Sequence, residues 1–371
     1  MSKRKKPEPK QQYYSLKNIL EKKCVYNVIF GERSNGKTYS VLLHGIEKFC
    51  NTGEQMAIVR RWAEDIKGRR ATDIFAAHNE NKEIEKLSGG KYTGIAYYGR
   101  KFYACTYDEE NKPIYNIETD CIAHTFSLSE TEHNKSISYP KITTVLFDEF
   151  ITKHIYLQDE FILFMNTLST IIRQRTNVEI FMCGNTVNKT CPYFSEMGLK
   201  HILEMKQGTI DIYTYGNSEL KVAVEYCASM EKQKKNNFYY AFNNPKLNMI
   251  TGGAWELDIY PHCPIKYKPS DIKLYYFIEF NGFLYQCEIV EKEGEMFTFI
   301  HEKTTPIQDT KKDLIYTLEY NYQLNYNRNI FKPISKVQER IAWFFKTDRV
   351  FYQNNEVGDS INNYLKICKT I

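Results

Sequence analysis

One octapeptide limits what this chain can fold into. Gly31-Glu32-Arg33-Ser34-Asn35-Gly36-Lys37-Thr38 completes the pattern G-x-x-x-x-G-K-[ST]. The pattern works only between a strand and a helix, because successive backbone N–H groups must curl around an anion that a helix N-terminus faces. Both flanks comply. Val25-Tyr26-Asn27-Val28-Ile29-Phe30 reads as a buried strand, and Tyr39 to Phe49 carries Leu42, Ile46 and Phe49 at helical spacing. In that setting Gly31, Arg33, Ser34, Asn35, Gly36, Lys37, Thr38 and Tyr39 are the candidates for holding a nucleoside triphosphate. Lys37 reaches the β and γ phosphates, and Thr38 offers its hydroxyl to Mg²⁺. Arg33 suits either a phosphate contact or a solvent-facing position. A glycine turn that merely ends in Lys-Thr is the bland alternative, and the flanks weigh against it.

A second motif complements the first. Thr144-Val145-Leu146-Phe147-Asp148-Glu149 is an apolar strand ending in two adjacent carboxylates. Asp148 is suited to hold Mg²⁺ through water, and Glu149 to orient and deprotonate the attacking water. Such an end is weak evidence alone; paired with the loop it favours hydrolysis over phosphoryl transfer to a metabolite. Arg173 and Arg175 follow a helical pattern, Tyr156 to Ile172, that places Phe161, Met165, Leu168 and Ile172 on one face. A cation there answers the helix dipole; the functional alternative is an arginine finger given to a neighbouring subunit's ATP. Asn185, closing the strand Val178–Cys183, fits a γ-phosphate sensor and a plain Gly-Asn turn equally.

The 371 residues suffice for one large or two medium domains, with 42% apolar and 26% charged content. The net charge of +5 permits a polyanionic partner without requiring one. Ten cysteines lie scattered with no C-x-x-C pair, which fits free thiols in a reducing compartment better than disulfides or zinc. The basic start Lys3-Arg4-Lys5-Lys6 precedes no apolar segment, so no signal peptide is expected, and no run is long enough to span a membrane. Alternating strands and helices run from about Tyr13 to Cys191, the mark of an α/β domain. Within it, Met56–Val59 reads as a strand ending in Arg60-Arg61, and Lys91 to Phe126 as a β insertion of short aromatic strands. The expected division is an ATPase domain over residues 1–203, a linker or lid over 204–264, and a C-terminal domain over 265–371. The middle segment carries Lys232-Gln233-Lys234-Lys235 and the turn Gly252-Gly253. The last begins with a hairpin turning at Asn281-Gly282 and ends in two helices, one placing Ile334, Val337, Ile341 and Phe345 on one side.

These residues also resemble a known family, the DNA-encapsidation ATPases of phi29-type small tailed phages. Its pieces occur in order: Gly31–Thr38, Gly53-Glu54-Gln55, Val59-Arg60-Arg61, Gly99-Arg100-Lys101-Phe102-Tyr103, Ser127-Leu128-Ser129, Lys135-Ser136, Tyr139-Pro140, Phe147–Ile151, Arg173-x-Arg175, Asn185 and Pro192-Tyr193-Phe194. The resemblance covers most of the first 195 residues and thins beyond. It implies a P-loop ATPase domain of the additional-strand, catalytic-glutamate (FtsK/HerA-like) kind, plus a smaller α+β RNase H-like C-terminal domain. It implies ATP and Mg²⁺ at a cis site of Lys37, Thr38, Asp148 and Glu149, with Arg173 and Lys135 acting in trans. Its expected partners are double-stranded DNA, the portal of a procapsid, a packaging RNA and further copies in a homo-oligomeric ring, a pentamer, with no membrane. The location implied is the host cytoplasm, docked transiently on the procapsid. The loop holding Lys67, Arg69 and Arg70 is the expected DNA-facing element, and its phosphate contacts would be indifferent to sequence. In the second domain Glu279, Glu288, Asp309, Asp313, Glu339 and Asp359 form no pattern that a two-metal nuclease needs, so a vestigial nuclease is expected. The competing readings are a helicase- or plasmid-mobilisation-type DNA-dependent ATPase, a nucleotide-bound scaffold that hydrolyses poorly, and a small-molecule kinase.

Overall fold

The structure, a computed structural model, describes residues 13–130, 138–153, 155–189, 191–216, 220–228, 260–263 and 265–369. Lys135, Ser136, the basic start, Lys232–Lys235 and Gly252-Gly253 lie outside them. The chain divides into two compact units, the first built on residues before about 255 and the second on those after, with short exchanges near 153–155 and 188–198.

In the first unit, helix α1 (Lys17–Leu20) precedes β1 (Tyr26–Gly31), α2 (Lys37–Thr52) and β2 (Gln55–Arg60). Short helices α3 (Gly68–Thr72), α4 (Ala76–Glu80) and α5 (Glu83–Leu87) lead to β3 (Gly94–Tyr98), β4 (Lys101–Tyr107), β5 (Pro113–Ile114) and β6 (Cys121–Ser127). Then come β7 (Ile142–Asp148), α6 (Glu160–Ile172) and β8 (Glu179–Asn185). Helix α7 (Pro192–Glu196) clusters with the second unit, and β9 (Thr209–Thr214) and β10 (Lys221–Tyr226) return to the first. One sheet runs in the order β3-β4-β6-β2-β7-β8-β1-β10-β9, with β5 paired to β4. Its six central strands, β6 to β10, are parallel. A parallel sheet covered on both faces needs near-continuous apolar strands, and all seven residues of β7 are buried. The buried core gathers Val41, Leu42 and Ile46 of α2 against Ile29, Ile58, Leu146 and Phe181 of the sheet. Gly53, at φ 72, ends α2 by returning its N–H to the carbonyl of Phe49.

Four expectations need correction. Residues 91–126 are no insertion: β6 pairs in parallel with β2, Met56 opposite Ala123, and β4 and β3 extend the same sheet. The ATPase sheet does not end at 203, since β10 lies beside β1 with Val28 opposite Val224. The antiparallel edge strand β9 is half-buried or exposed at every position, so its sequence reads like a linker. Helix α6 starts at Glu160 and buries Phe164, Thr167, Leu168 and Ile171, because Glu160 is drawn inward to Arg61 and turns the helix away from the expected face.

In the second unit β11 (Ile272–Phe280), β12 (Phe283–Lys292) and β13 (Glu295–Glu302) form an antiparallel meander. Strands β14 (Ile315–Thr317), β15 (Tyr326–Asn327) and β16 (Val350–Tyr352) complete the order β15-β14-β11-β12-β13-β16. Asn281 and Gly282, both at positive φ, make the tight turn between β11 and β12. Helices α8 (Lys336–Lys346) and α9 (Asn355–Cys368) contribute Ile341, Phe344, Ile361 and Tyr364 to its core. The fourth correction falls here. The Ser335 side chain caps α8 by accepting from the Gln338 N–H, which leaves Ile334 outside the helix and exposed. The buried face is Gln338, Ile341, Ala342 and Phe344.

All ten cysteines are free; eight are buried, and Cys50 and Cys263 are partly exposed. No helix among the described residues is long and apolar enough to cross a membrane.

Candidate active site

Parallel strands end on one edge of a sheet, and that edge is where open α/β sheets build their sites. Here β1 ends at Gly31, opposite Asn185 of β8, and Asp148 of β7 stands opposite Cys183 of β8. The edge opens as a cleft of ≈ 220 Å³, lined by Ser34–Tyr39 of the loop and by Asp148, Glu149 and Asn185. Thr38 Oγ1 donates to Asp148 Oδ1 at 2.7 Å, joining the two motifs that lie so far apart in sequence. Lys37 Nζ donates to the carbonyl of Glu32 (2.6 Å), Asn35 Oδ1 (3.1 Å) and Asn185 Oδ1 (3.2 Å). Burial pulls the Lys37 amine below its ordinary pKa, while nearby carboxylates and thiols oppose that pull.

Gly36, at φ 93, begins α2, and a Cβ there would lie 3.4 Å from Tyr13 Cβ. The loop is held from outside by Tyr14, whose N–H donates to the Asn35 carbonyl (2.9 Å) and whose carbonyl accepts from Ser40 Oγ (2.6 Å). The Tyr14 hydroxyl donates to buried Glu225 of β10 at 2.7 Å. Burial raises the Glu225 carboxyl, and the Tyr14 hydrogen bond offsets part of the rise. Behind the loop the Cys227 thiol is pushed up to about 12 by burial, and Cys183 is raised well above the usual thiol range. Neither is a nucleophile at neutral pH.

Arg60, at the end of β2, reaches Asp148 Oδ2 (2.7 Å) and Glu149 Oε2 (3.0 Å) with its two terminal nitrogens. Sequence reading gave it no role, although its place after an apolar strand put it on the functional edge. Glu149 sits at φ 60 with its side chain 64% exposed, facing the cleft mouth. The turn it starts packs on Gly184, where a Cβ would fall 2.8–2.9 Å from Ile151 and Phe150 side-chain atoms. Arg61 turns the other way, pairing with buried Glu160 through two contacts of 2.7 and 2.9 Å and donating to the Glu149 and Phe150 carbonyls.

The remaining expected residues fall in different places. Tyr39 lines the cleft, stacks on His78 at 4.0 Å and donates to Glu83. Arg33 is exposed on the loop. Arg173 is exposed where α6 ends, with φ 54 and ψ −121, a region that costs a non-glycine residue about 1–3 kcal/mol. Arg175 is no finger: its guanidinium is spent on backbone carbonyls. Lys67, Arg69 and Arg70 lie at and within α3, Arg69 almost fully exposed, each beside a carboxylate.

Oxygen donors this close, a hydroxyl and a carboxylate, suit a hard cation such as Mg²⁺ better than a soft one. Thr38 and Asp148 would hold it, where it would neutralise charge on the phosphates. No cluster of three or more His, Cys, Asp or Glu fit for a metal occurs among the described residues.

Fold and site together define a P-loop nucleotide-binding protein with an acidic strand end beside the loop. The sequence profile of the Podovirus DNA encapsidation protein (Gp16) family matches residues 9–238, and the chain belongs to that family. Its role is the family's, packaging phage DNA. The DNA packaging protein of Bacillus phage PZA is 22% identical over 333 residues, covering 86% of this chain and 89% of that one. That of Bacillus phage B103 is 30% identical over 186 residues, 47% of this chain and 48% of the relative. Among solved structures, the phi29 viral genome packaging motor assembly matches with a TM-score of 0.56 at 19% identity, covering 96% of this chain and 99% of that one. The Phi-28 gp11 DNA packaging motor matches at 0.54 and 16%, covering 97% and 98%.

Proposed function

We propose that this chain is the ATP-driven motor that moves double-stranded viral DNA into a preformed procapsid through its portal. The observation that carries the reading is Thr38 bonded to Asp148, with Lys37 and Glu149 on the same sheet edge. In this reading Lys37 and the loop amides bind the ATP phosphates, and Thr38 and Asp148 hold Mg²⁺. Glu149 takes the proton of the attacking water, Asn185 holds Lys37 and senses the γ-phosphate, and Arg173 enters the neighbouring subunit's site with Lys135 as a second trans cation. The additional-strand assignment is supported by β8, which stands between the loop strand β1 and the acidic strand β7.

The C-terminal unit is read as a vestigial RNase H-like domain, supported by its meander with β14 and β15 added in parallel beside β11. Its carboxylates are dispersed: Glu288 accepts from Tyr267 and Gln286, and Asp359 faces Tyr260. Function as a pentameric ring on the portal, with or without a packaging RNA, in the host cytoplasm completes the proposal.

The test is ATP hydrolysis with and without double-stranded DNA and procapsids, for wild type, Glu149→Gln and Arg173→Ala. Stimulation by both additions, lost in both variants while ATP still binds, is the expected result. Turnover indifferent to procapsid but raised by single-stranded DNA would replace the motor with a helicase-type ATPase.

A further inference from the structure

Arg175 makes an unusual set of bonds for a helix-end cation. Its guanidinium donates to five backbone carbonyls. Two belong to the last turn of α6, those of Ile171 (2.8 Å) and Ile172 (3.3 Å). Three belong to the approach to β7, those of Tyr139 (3.1 Å), Pro140 (3.1 Å) and Ile142 (2.5 Å). Capping the helix dipole explains the first two and leaves the other three unexplained.

Arg173 ends α6 as an exposed residue, with its backbone in a region that only a surrounding structure can impose. The Arg173 N–H donates to the Ser169 carbonyl and the Arg175 N–H to that of Ile172, so the strained residue is bracketed on both sides. The second anchored segment opens β7, whose far end carries Asp148 and begins the turn of Glu149. One planar, five-donor group thus ties the helix end that presents Arg173 to the strand that carries the chain's own acidic pair. Only arginine has donors enough, in a rigid fork, for that task; a lysine ammonium serves three acceptors from a single point.

We propose that Arg175 is the positioning residue for Arg173, fixing the direction in which the finger leaves its own subunit relative to that subunit's catalytic strand. The proposal rests on the reading of Arg173 as a trans-acting finger. In this proposal Arg175, whose guanidinium is held by backbone carbonyls, acts through Arg173 alone.

The experiment is a double-mutant cycle on motors assembled with procapsids and double-stranded DNA, using Arg173→Ala, Arg175→Lys and both together. Arg175→Lys should lower kcat about 10–100-fold, the cost of a finger misplaced by about an ångström. ATP affinity and the thermal midpoint of the free chain should stay close to wild type. Arg173→Ala should lose roughly 10³–10⁵-fold, and the double variant should lose no more than Arg173→Ala does. Additive losses in the double variant overturn the proposal and make Arg175 a structural cap. A wild-type rate for Arg173→Ala overturns the finger reading itself, a separate failure seen in a separate arm. If Arg175→Lys does not fold, Arg175→Gln, which keeps two donors, takes its place in the same cycle.

Discussion

Arg60 illustrates how much one side chain decides at this site, since it contacts both carboxylates to which the proposed hydrolysis is assigned. Arg60→Lys leaves a single ammonium that cannot serve both from one position. We expect kcat to fall by roughly 10²-fold with ATP affinity retained, as steady-state turnover and nucleotide titration would report. Glu225 makes a different prediction. Burial raises its folded pKa above the unfolded value, so its contribution to stability is full below the ordinary carboxylate range, about 4.3. That contribution is lost as pH rises through the raised folded pKa. Glu225→Gln is neutral throughout and can still accept from Tyr14. Its thermal midpoint should therefore gain on wild type as pH increases from about 4 toward neutrality, and a gap constant with pH would refute the assignment. At this scale the loop and Asp148-Glu149 were legible because their spacing encodes their chemistry locally. Arg60, Tyr14 and Glu225 were not, because the Arg60–Asp148 and Tyr14–Glu225 pairs join residues far apart in sequence that only the sheet order brings together.

Elements carry the site by how tightly they pack. Gly184→Ala puts a methyl where Phe150 and Ile151 already stand; overpacking of this kind costs about 1–3 kcal/mol. It should also displace the turn of Glu149, so a drop in chemical-denaturation midpoint accompanied by lower turnover is expected. Arg61→Met strands Glu160 in the interior, and breaking a buried pair this way costs about 3–5 kcal/mol. A melt shifted by no more than an exposed-site mutation would show that the pair is dispensable. The strands β1, β7 and β8 could be read from sequence because buried parallel strands are continuous apolar runs. Helix α6 was read on the wrong face for the same physical reason that makes Arg61 interesting. A glutamate at a helix start counts as polar in any periodicity, yet here its charge is taken inside and the helix turns with it.

Across the whole molecule the sequence indicates two domains but misplaces their border, because an edge strand with no fully buried position has the composition of a connector. The first unit's sheet is therefore completed only by β10, late in the chain, and truncation at 203 should remove a strand adjacent to the phosphate loop rather than a lid. The exposed basic group on α3 makes a prediction at this scale too. If Arg69 and Arg70 track the DNA backbone, replacing both with Ala should reduce the log–log salt slope of DNA binding by about two, uniformly across sequences. An unchanged slope would take α3 out of the DNA path. Finally, the ten reduced cysteines bear on how such a motor can be watched. Eight are sealed in the interior and two are partly open to solvent. Replacing Cys50 and Cys263 should leave a background nearly silent to maleimide, on which one new surface thiol can report the position of either unit with a single fluorophore.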